Sequence, residues 1–479
     1  MTPVVQEKKY AEGVLKEFYG LCAIPHPSGK EERLGQYLME LLEQRGFCPQ
    51  MDSRGNILCD IPATGGLEGR PRLMMQAHMD MVCVGAEDYC PETDPIRTEI
   101  RDGWLCTDGR SSLGADCGIG LAAALYVTGG AFAHGPIRLI FTVDEERGLR
   151  GAEALSERWV QDCGGIINLD SFHFGQVFIS SAGGLRQTFQ KQTECFFPML
   201  DWPVRISLHG LLGGHSGDDI GKNRGNAGRI LVWFLQSLDF PYELATLSAG
   251  STHNAIPGGG YAEIVVDRRD EEKLRQQTTL FAEGIRELYP EEKAFSLELQ
   301  DGEMPQWVMT VDQRDDFLAL GGLILCSVQE MHPLCPQVVG TSNSMGMLFG
   351  NSDHIEIRSF PRSYSQEAME ALGQFHTMAA EGLGFTAENI GYPAWPGVSQ
   401  DPLSDLFLEQ GGKMGYPMEK QAVHVGLESA WLHKLAPQTP IVTVGMEIRD
   451  PHAVSERVEV ESIEKFVCLL TRVLEHFGE

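Results

Sequence analysis

Strand and helix patterns alternate in the first part of the chain and return near its end, which predicts an α/β fold. Between about residues 185 and 395 the pattern changes to strands and longer helices in an α+β arrangement. A Pro- and Gly-rich segment, 391–403, joins this middle part to the last one. We therefore expect an α/β domain with a central mixed sheet flanked by helices, formed by residues 1–184 and 397–479. An inserted α+β domain, residues 185–396, would interrupt it.

The strands of the α/β domain are predicted from short apolar runs. They are NILCDI (56–61), RLMMQAHM (72–79), IRLIFTV (137–143), GIINLD (165–170) and TPIVTVGMEI (439–448). Helical patterns cover residues 7–21, 118–129, 151–160 and 455–477. Ser28 and Glu31 are spaced as a capping box before a further amphipathic helix.

The composition predicts an ordinary soluble globular protein of two or three domains. The chain has 479 residues, of which 42% are hydrophobic and 22% are charged. Its formal net charge of −29 disfavours nucleic acids and anionic membranes as partners, because both repel a negative surface. No apolar run approaches the roughly 20 residues that cross a bilayer.

The cysteines and the N-terminal residues predict a cytoplasmic location. The 12 cysteines form no CxxC pair and mostly lie beside apolar residues, where a free thiol behaves as a small hydrophobic side chain. The first ten residues, MTPVVQEKKY, contain no apolar segment typical of a secretory leader. We expect reduced thiols.

Polar side chains end or follow four of the predicted strands. They are His78 and Asp80, Glu145 and Glu146, Asp170, and His452, and Asp116 lies in the glycine-rich turn LGADCGIG before a helix. Each of them alone has an ordinary explanation as an exposed acid, a cap or a hydrogen-bonded core histidine. In an open α/β sheet, however, the C-terminal strand ends line the crevice where ligands bind. We therefore expect these side chains to converge.

The converging side chains predict a metal centre. A cluster of carboxylates is unfavourable unless a cation neutralises it. Histidine together with Asp or Glu suits Zn²⁺, Mn²⁺ or Co²⁺. The groups suffice for two divalent ions, a bridging carboxylate and one acid left over as a general base.

The ordered motifs of the chain resemble a known family. AHMDMV, LGADCGIG, DEERG, INLD, GGHSG, NAIP and PHA follow one another as in the dinuclear-zinc exopeptidases with a lid domain. AIPHPSGKEERL, TSNSMGML, EIRS and AVHVGLE narrow the resemblance to the aminoacyl-histidine dipeptidases, also called cytosolic non-specific dipeptidases (PepD type). The resemblance extends from about residue 14 to 470. It implies a zinc-exopeptidase-like catalytic domain with the inserted domain as its lid.

The resemblance also implies a ligand set for two metal ions, most simply zinc. His78 would bind one ion, His452 the other, and Asp116 both. Glu146 and Asp170 would each complete the coordination of one ion.

Two catalytic residues and three substrate contacts are implied in the same way. Asp80 would accept the second N–H of His78 and fix its tautomer, and Glu145 would be the general base. In the lid, His215 would stabilise the oxyanion, Asn254 would bind the peptide backbone and Arg358 the terminal carboxylate. For Arg358, a surface salt bridge is an equally good explanation.

Two residues near the implied site have open roles. Cys117 follows the bridging Asp116 where the family resemblance leads us to expect asparagine, and it is expected to adjoin the site without binding metal. Glu428, in AVHVGLESAW, fits either a contact to a substrate amine or a helix cap.

The expected activity is hydrolysis of unblocked dipeptides, Xaa-His among them. An aminoacylase or a tripeptidase of the same clan is the alternative, and a non-catalytic binding protein is a third. The expected partner is a small peptide. A homodimer in which His215 acts across the interface is compatible with the resemblance, as is His215 acting within one chain.

Overall fold

The structure, a computed structural model, describes residues 9–130 and 132–479. These residues form two compact units. The first runs to Ser180 and includes Gly397–Ala422 and Leu427–Glu479, and the second comprises Ser181–Pro396 and Val423–Gly426.

Helices are distributed over the whole described chain. They are α1 (Lys9–Cys22), α2 (Glu32–Gln44), α3 (Gly118–Gly129), α4 (Arg150–Glu153), α5 (Glu157–Val160), α6 (Ala227–Ser237), α7 (Glu271–Leu288), α8 (Val311–Leu323), α9 (Gln366–Gly382), α10 (Pro402–Met414), α11 (Ser429–Leu435) and α12 (Val460–His476).

Strands alternate with these helices. They are β1 (Gln50–Met51), β2 (Ile57–Ile61), β3 (Leu73–His78), β4 (Thr98–Arg101), β5 (Trp104–Thr107), β6 (Ile137–Thr142), β7 (Gly165–Ser171), β8 (Gln176–Ser181), β9 (Gly183–Gln192), β10 (Cys195–Phe196), β11 (Trp202–His209), β12 (Gly214–His215), β13 (Tyr242–Gly250), β14 (Ala255–Ile256), β15 (Gly260–Val266), β16 (Ser296–Asp301), β17 (Val308–Met309), β18 (Ser327–Met331), β19 (Val339–Asn343), β20 (Met345–Gly350), β21 (His354–Ser359), β22 (Arg362–Ser363), β23 (Thr386–Tyr392), β24 (Glu419–Val423), β25 (Ile441–Gly445), β26 (Ile448–Arg449) and β27 (Arg457–Glu459).

A mixed eight-stranded sheet forms the centre of the first unit. Its order is β1-β2-β6-β3-β7-β25-β8-β24. The neighbours β6, β3, β7 and β25 are parallel, so their C-terminal ends lie at one edge of the sheet. All residues of β3, β6 and β7 are buried, which explains why most residues of these strands are apolar.

Helices cover the two faces of this sheet. On one face, Met75, Ala77 and Leu169 pack with side chains of α1, α3 and α12 in a single core. Helix α3 approaches the sheet closely at Gly120, where a Cβ atom would lie 2.4 Å from the carbonyl oxygen of Leu169. Because side chains alternate along a strand, Gln76 and His78 point to the opposite face.

The second unit is built on an eleven-stranded sheet. Its order is β16-β11-β15-β13-β20-β21-β9-β22-β19-β18, and β23 also pairs with β9. Helices α6, α7, α8 and α9 contribute buried side chains to its core. A short antiparallel ladder, β12 with β14, lies beside the main sheet and pairs His215 with Ala255.

The predicted fold class is confirmed, with differences in single elements. The helix expected over 151–160 is two short helices, α4 and α5, because the chain is extended at Ser156. The final helix begins at Val460, since 457–459 pair with β5 in an unpredicted four-stranded sheet, β26-β27-β5-β4. Residues 7 and 8 of the first predicted helix lie outside the described residues. The boundaries of the inserted domain, 185–396, and its role as a lid stay predictions.

The predicted capping box is wrong. The Ser28 hydroxyl donates to the carbonyl oxygen of Met81, and Glu31 accepts the N–H groups of Gly29 and Asp144. Both side chains therefore bind other segments, and α2 begins without a side-chain cap.

Candidate metal centre

The C-terminal edge of the parallel strands brings the predicted ligands together. His78 is the last residue of β3, and Asp170 lies near the end of the neighbouring β7. Glu146 lies in the turn after β6, His452 in the turn between β26 and β27, and Asp116 just before α3. Segments that are far apart in the sequence thus meet at one edge of the sheet.

His78 is buried and presents one ring nitrogen to the acids. Its Nδ1 lies 2.9 Å from the backbone carbonyl oxygen of Asp80, which fixes the proton on Nδ1. Its Nε2 lies 3.6 Å from Asp116 Oδ1 and 3.9 Å from Asp170 Oδ1. The lone pair of Nε2 is therefore directed toward two carboxylates, the arrangement of an imidazole that binds metal.

His452 lies on the other side of Asp116. Its Nε2 is 2.6 Å from Asp116 Oδ2 and 2.8 Å from Glu146 Oε1. One oxygen of Asp116 thus faces His78 and the other faces His452. A carboxylate between two imidazoles has the geometry needed to bridge two cations.

Asp80 supports the site differently from the sequence expectation. The 2.9 Å contact to His78 Nδ1 is made by the backbone carbonyl of Asp80, while its carboxylate Oδ1 is 3.5 Å from Nδ1. Strand β3 ends at His78, so Asp80 already lies in the following turn. Its carboxylate accepts the N–H groups of Glu145 at 2.9 Å and Glu146 at 3.2 Å. Asp80 therefore fixes the backbone of both glutamates.

Excess negative charge shifts the pKa values in the cluster. Burial and the charge of Asp116 raise the pKa of Asp170 well above its ordinary value. Burial, with the charges of Asp170 and Glu146, does the same to the pKa of Glu145. Burial lowers the pKa of His452, but Asp116 and Glu146 outweigh it and raise that pKa to about 11. The cluster therefore favours added positive charge.

The donor set fits divalent metal ions. Donor atoms of His78, Asp116 and Glu146 lie within 4.8 Å of one another. Asp116 Oδ1 is buried and accepts no hydrogen bond from any described residue. Within residues 9–130 and 132–479, the acids of the cluster form ion pairs with histidine alone and with no lysine or arginine. A bound cation would interact with Asp116 Oδ1 and neutralise the excess negative charge.

Cys117 adjoins the centre, as expected, and is closer to it than the sequence indicates. Its Sγ accepts the backbone N–H of His78 at 3.2 Å, and it lies with donor atoms of His78 and Asp170 within 4.8 Å. Burial raises the pKa of this thiol well above its ordinary value.

Glu428 is the residue before α11, but its side chain neither caps the helix nor reaches solvent. Its side chain is fully buried, and Oε2 accepts hydrogen bonds from Gln76 Nε2 at 2.5 Å and Thr142 Oγ1 at 2.8 Å. Gln76 in turn accepts a hydrogen bond from Asn168 Nδ2 at 2.6 Å. Burial raises the pKa of Glu428 to about 7. Glu428, Thr142, Gln76 and Asn168 thus form a polar row that links β6, β3 and β7. Gln76 and Asn168 each lie two residues before a predicted ligand.

The sequence contains a signal for this row. Gln76, Thr142 and Asn168 are polar residues inside strands whose other residues are mostly apolar. Buried polar side chains need hydrogen-bond partners, so three of them at neighbouring strand ends predict a shared partner.

The three predicted substrate contacts lie in the second unit and form a connected group. His215 pairs with Ala255 across the β12–β14 ladder, and Asn254 accepts the N–H of Ser216 at 2.8 Å through its backbone carbonyl. Asn254 and Arg358 both line a cavity of about 460 Å³ with Arg186. Arg358 also binds Glu356 at 2.6 Å and the carbonyl of Ser251 at 3.0 Å. Their roles toward substrate stay predictions.

No helix among residues 9–130 and 132–479 has the length and apolar character needed to span a bilayer.

Comparison with known proteins places the chain in a family. Residues 74–476 match the profile of Peptidase family M20/M25/M40. The cytosol non-specific dipeptidase of Escherichia coli (strain K12) is 31% identical over 472 residues, which cover 95% of this chain and 96% of that protein. The structure of aminoacylhistidine dipeptidase from Vibrio alginolyticus superposes with a TM-score of 0.90 at 29% identity, covering 98% of this chain and 97% of that one.

A more distant structure shares the fold. Aminopeptidase PepT from Bacillus cereus superposes with a TM-score of 0.58 at 17% identity, and the match covers 98% of this chain and 99% of that one. The match of the family profile over most of the chain, together with the full-length relative, shows that the chain belongs to Peptidase family M20/M25/M40.

Proposed function

We propose that this protein is a metal-dependent dipeptidase that hydrolyses unblocked dipeptides, Xaa-His dipeptides among them. One observation carries the proposal: Asp116 lies between His78 and His452 in an acid cluster that has no lysine or arginine partner among the described residues. The names of two relatives, a non-specific dipeptidase and an aminoacylhistidine dipeptidase, supply the substrate class. We infer that the protein works in the cytoplasm, as the name of the first relative says of that protein.

Two divalent ions, zinc in the first place and Mn²⁺ or Co²⁺ otherwise, are the proposed cofactors. His78 and Asp170 would hold one ion, His452 and Glu146 the other, and Asp116 both. When bound, the ions supply Lewis-acid polarisation of the scissile carbonyl and increase the acidity of the attacking water.

Glu145 is the proposed general base. Its N–H donates to Asp80 Oδ1 at 2.9 Å, so its backbone position is tied to the turn that also fixes His78. Its carboxylate would take a proton from the attacking water and transfer it to the nitrogen of the leaving amine. Asp80 serves as a positioning residue, because it holds the tautomer of His78 and the backbone of both glutamates.

The second unit would supply the substrate contacts. The guanidinium of Arg358 has five N–H donors, and two of its nitrogens are bound to Glu356 and Ser251. The remaining donors suit a peptide carboxylate. Asn254 lines the same cavity and would bind the peptide backbone. His215 would donate to the oxyanion of the tetrahedral intermediate.

Metal titration with four substrates tests the proposal. The metal-free protein is titrated with Zn²⁺, Mn²⁺ or Co²⁺ while cleavage of a free Xaa-His dipeptide, a dipeptide without histidine, an N-acetylated amino acid and a tripeptide is followed. We expect activity to return as about two ions bind per chain, and only the free dipeptides to be cleaved. Cleavage of the acetylated compound or of the tripeptide would replace the dipeptidase with an aminoacylase or a tripeptidase. Binding of ions without any cleavage would contradict the proposal.

A further inference from the structure

Glu456 is a buried carboxylate that binds four consecutive backbone N–H groups. Its side chain is 1% exposed and follows His452 by four residues. Oε2 accepts the N–H groups of Leu113 at 2.8 Å and Gly114 at 2.9 Å. Oε1 accepts those of Ala115 at 2.8 Å and Asp116 at 3.1 Å. The carboxylate is therefore satisfied by backbone donors alone, about 340 residues away in the sequence.

The turn that binds Glu456 has a backbone conformation that needs such a partner. Gly114 has a φ of +68°, and a Cβ there would lie 2.7 Å from Met81 Sδ. Cys117, at the other end of the turn, has a φ of +47°, which costs energy for a residue with a side chain. Successive N–H groups directed to one point form an anion site. In this chain the anion is a side chain, and it holds the turn in shape.

The same contact connects two predicted metal ligands. The fourth N–H donor belongs to Asp116, whose Oδ2 lies 2.6 Å from His452 Nε2. Glu456 lies on the segment that carries His452, and its own N–H donates to the carbonyl of Ala453 at 3.0 Å. The segments 113–116 and 452–456 are thus joined twice, once through the ligands and once through Glu456. The contact through Glu456 does not involve a ligand side chain.

We propose that Glu456 is a positioning residue that sets Asp116 between His78 and His452 and so determines how tightly the ions bind. The proposal rests on the metal ligands assigned under the proposed function. Replacing a group that orients a ligand typically weakens metal binding 10- to 100-fold. We expect a loss of this size for the Glu456→Gln variant. The glutamine amide has the size of the carboxylate, but its NH₂ group is a donor and would face two backbone N–H donors.

A matched control is available in the second unit. Glu292 is also a buried carboxylate, 3% exposed, that accepts backbone N–H groups, from Leu212 at 2.6 Å and Gly225 at 2.9 Å. Glu292→Gln therefore makes the same chemical change without touching a predicted metal ligand. Both variants should lose thermal stability, and only Glu456→Gln should lose metal affinity.

The test measures metal binding without substrate. Metal-free wild type, Glu456→Gln and Glu292→Gln are titrated with Zn²⁺ against a competing chelator, and the Co²⁺-loaded forms are compared by visible absorption. We expect weaker binding and an altered Co²⁺ spectrum for Glu456→Gln alone, at a temperature where circular dichroism shows all three folded. Wild-type affinity and an unchanged spectrum in Glu456→Gln would overturn the proposal, as would an equal loss in Glu292→Gln.

A second variant covers the case in which Glu456→Gln does not fold. Glu456→Asp keeps the negative charge but shortens the side chain by one methylene group, which moves the carboxylate away from the 113–116 turn. This variant should fold and bind Zn²⁺ more weakly than the wild type. Wild-type affinity in this variant would then overturn the proposal. If the wild-type protein binds ions but cleaves no dipeptide, the proposed function is refuted. The proposal for Glu456 is then unaffected, because its metal titrations contain no substrate.

Discussion

His376 is a buried neutral imidazole whose protonation opposes folding. It lies in α9 and is completely buried. Its Nδ1 lies 3.0 Å from the side-chain oxygen of Gln187, and its Nε2 accepts the N–H of Leu325 at 3.2 Å. The neutral ring therefore satisfies both nitrogens, whereas a protonated ring would face the Leu325 N–H with a second donor. Burial lowers the pKa of His376 from 6.5 to about 4.

The sign and size of the effect follow from these two pKa values. In the unfolded chain His376 binds a proton below about pH 6.5, and in the folded chain only below about pH 4. Between these values the unfolded state binds more protons, so the free energy of unfolding decreases as the pH falls. The full difference corresponds to about 3 kcal/mol. Of this, about 2 kcal/mol should already be lost at pH 5.

Urea unfolding at pH 7.5 and pH 5 measures this contribution. The His376→Gln variant should be less stable than the wild type at pH 7.5, because it loses ring packing. Its free energy of unfolding should then fall by about 2 kcal/mol less than that of the wild type between the two pH values. The His209→Gln variant, at an exposed position at the end of β11, is the control and should follow the wild type. An equal decrease in wild type and His376→Gln would refute the reasoning.

Three further changes test the candidate site and its surroundings. Glu145→Gln should lower kcat for dipeptide cleavage about 100- to 10,000-fold, because it removes the proposed general base. Zn²⁺ titration should show unchanged binding. Glu428→Ala removes one of the two acceptors of the buried Gln76 amide, the other being Thr142 Oγ1, and should lower the free energy of unfolding in a thermal unfolding assay by about 1–3 kcal/mol. Glu428→Gln should cost less in the same assay. Iodoacetamide should label the exposed Cys48 in the folded protein and leave Cys117, which is 2% exposed, unlabelled until the protein unfolds. Peptide mass spectrometry would measure both labels. Labelling of Cys117 in the folded protein would contradict its burial.

The central strands and the convergence of polar side chains at their ends could be predicted because their signals are local. RLMMQAHM contains a short apolar run typical of a buried strand, and the polar pair His78 and Asp80 at its end has few structural uses. Helix α3 was predicted over 118–129, and the structure has it at Gly118–Gly129. The family resemblance then supplied roles for these residues that spacing alone does not.

The supporting contacts could not be predicted because they join distant segments through the backbone. Glu456 has no feature in SERVEV that distinguishes it from an exposed acid, and its partners are N–H groups, which every turn offers. Asp80 was expected to bind His78 through its carboxylate, but the carbonyl makes the shorter contact. The role of Glu428 could not be predicted, because its hydrogen-bond partners lie on strands 286 and 352 residues earlier in the sequence.

The separation of the ligands in the sequence also has a consequence during synthesis. Asp116 and His452 are 336 residues apart, and at about 5–20 residues per second a ribosome needs roughly 20 to 70 seconds to add that length. During that time the nascent chain acquires the other proposed ligands, His78, Asp116, Glu146 and Asp170, but still lacks His452. A truncated product that ends before His452 would therefore lack one of the two proposed histidine ligands. If His452 binds metal as proposed, full metal loading would report that translation has passed residue 452.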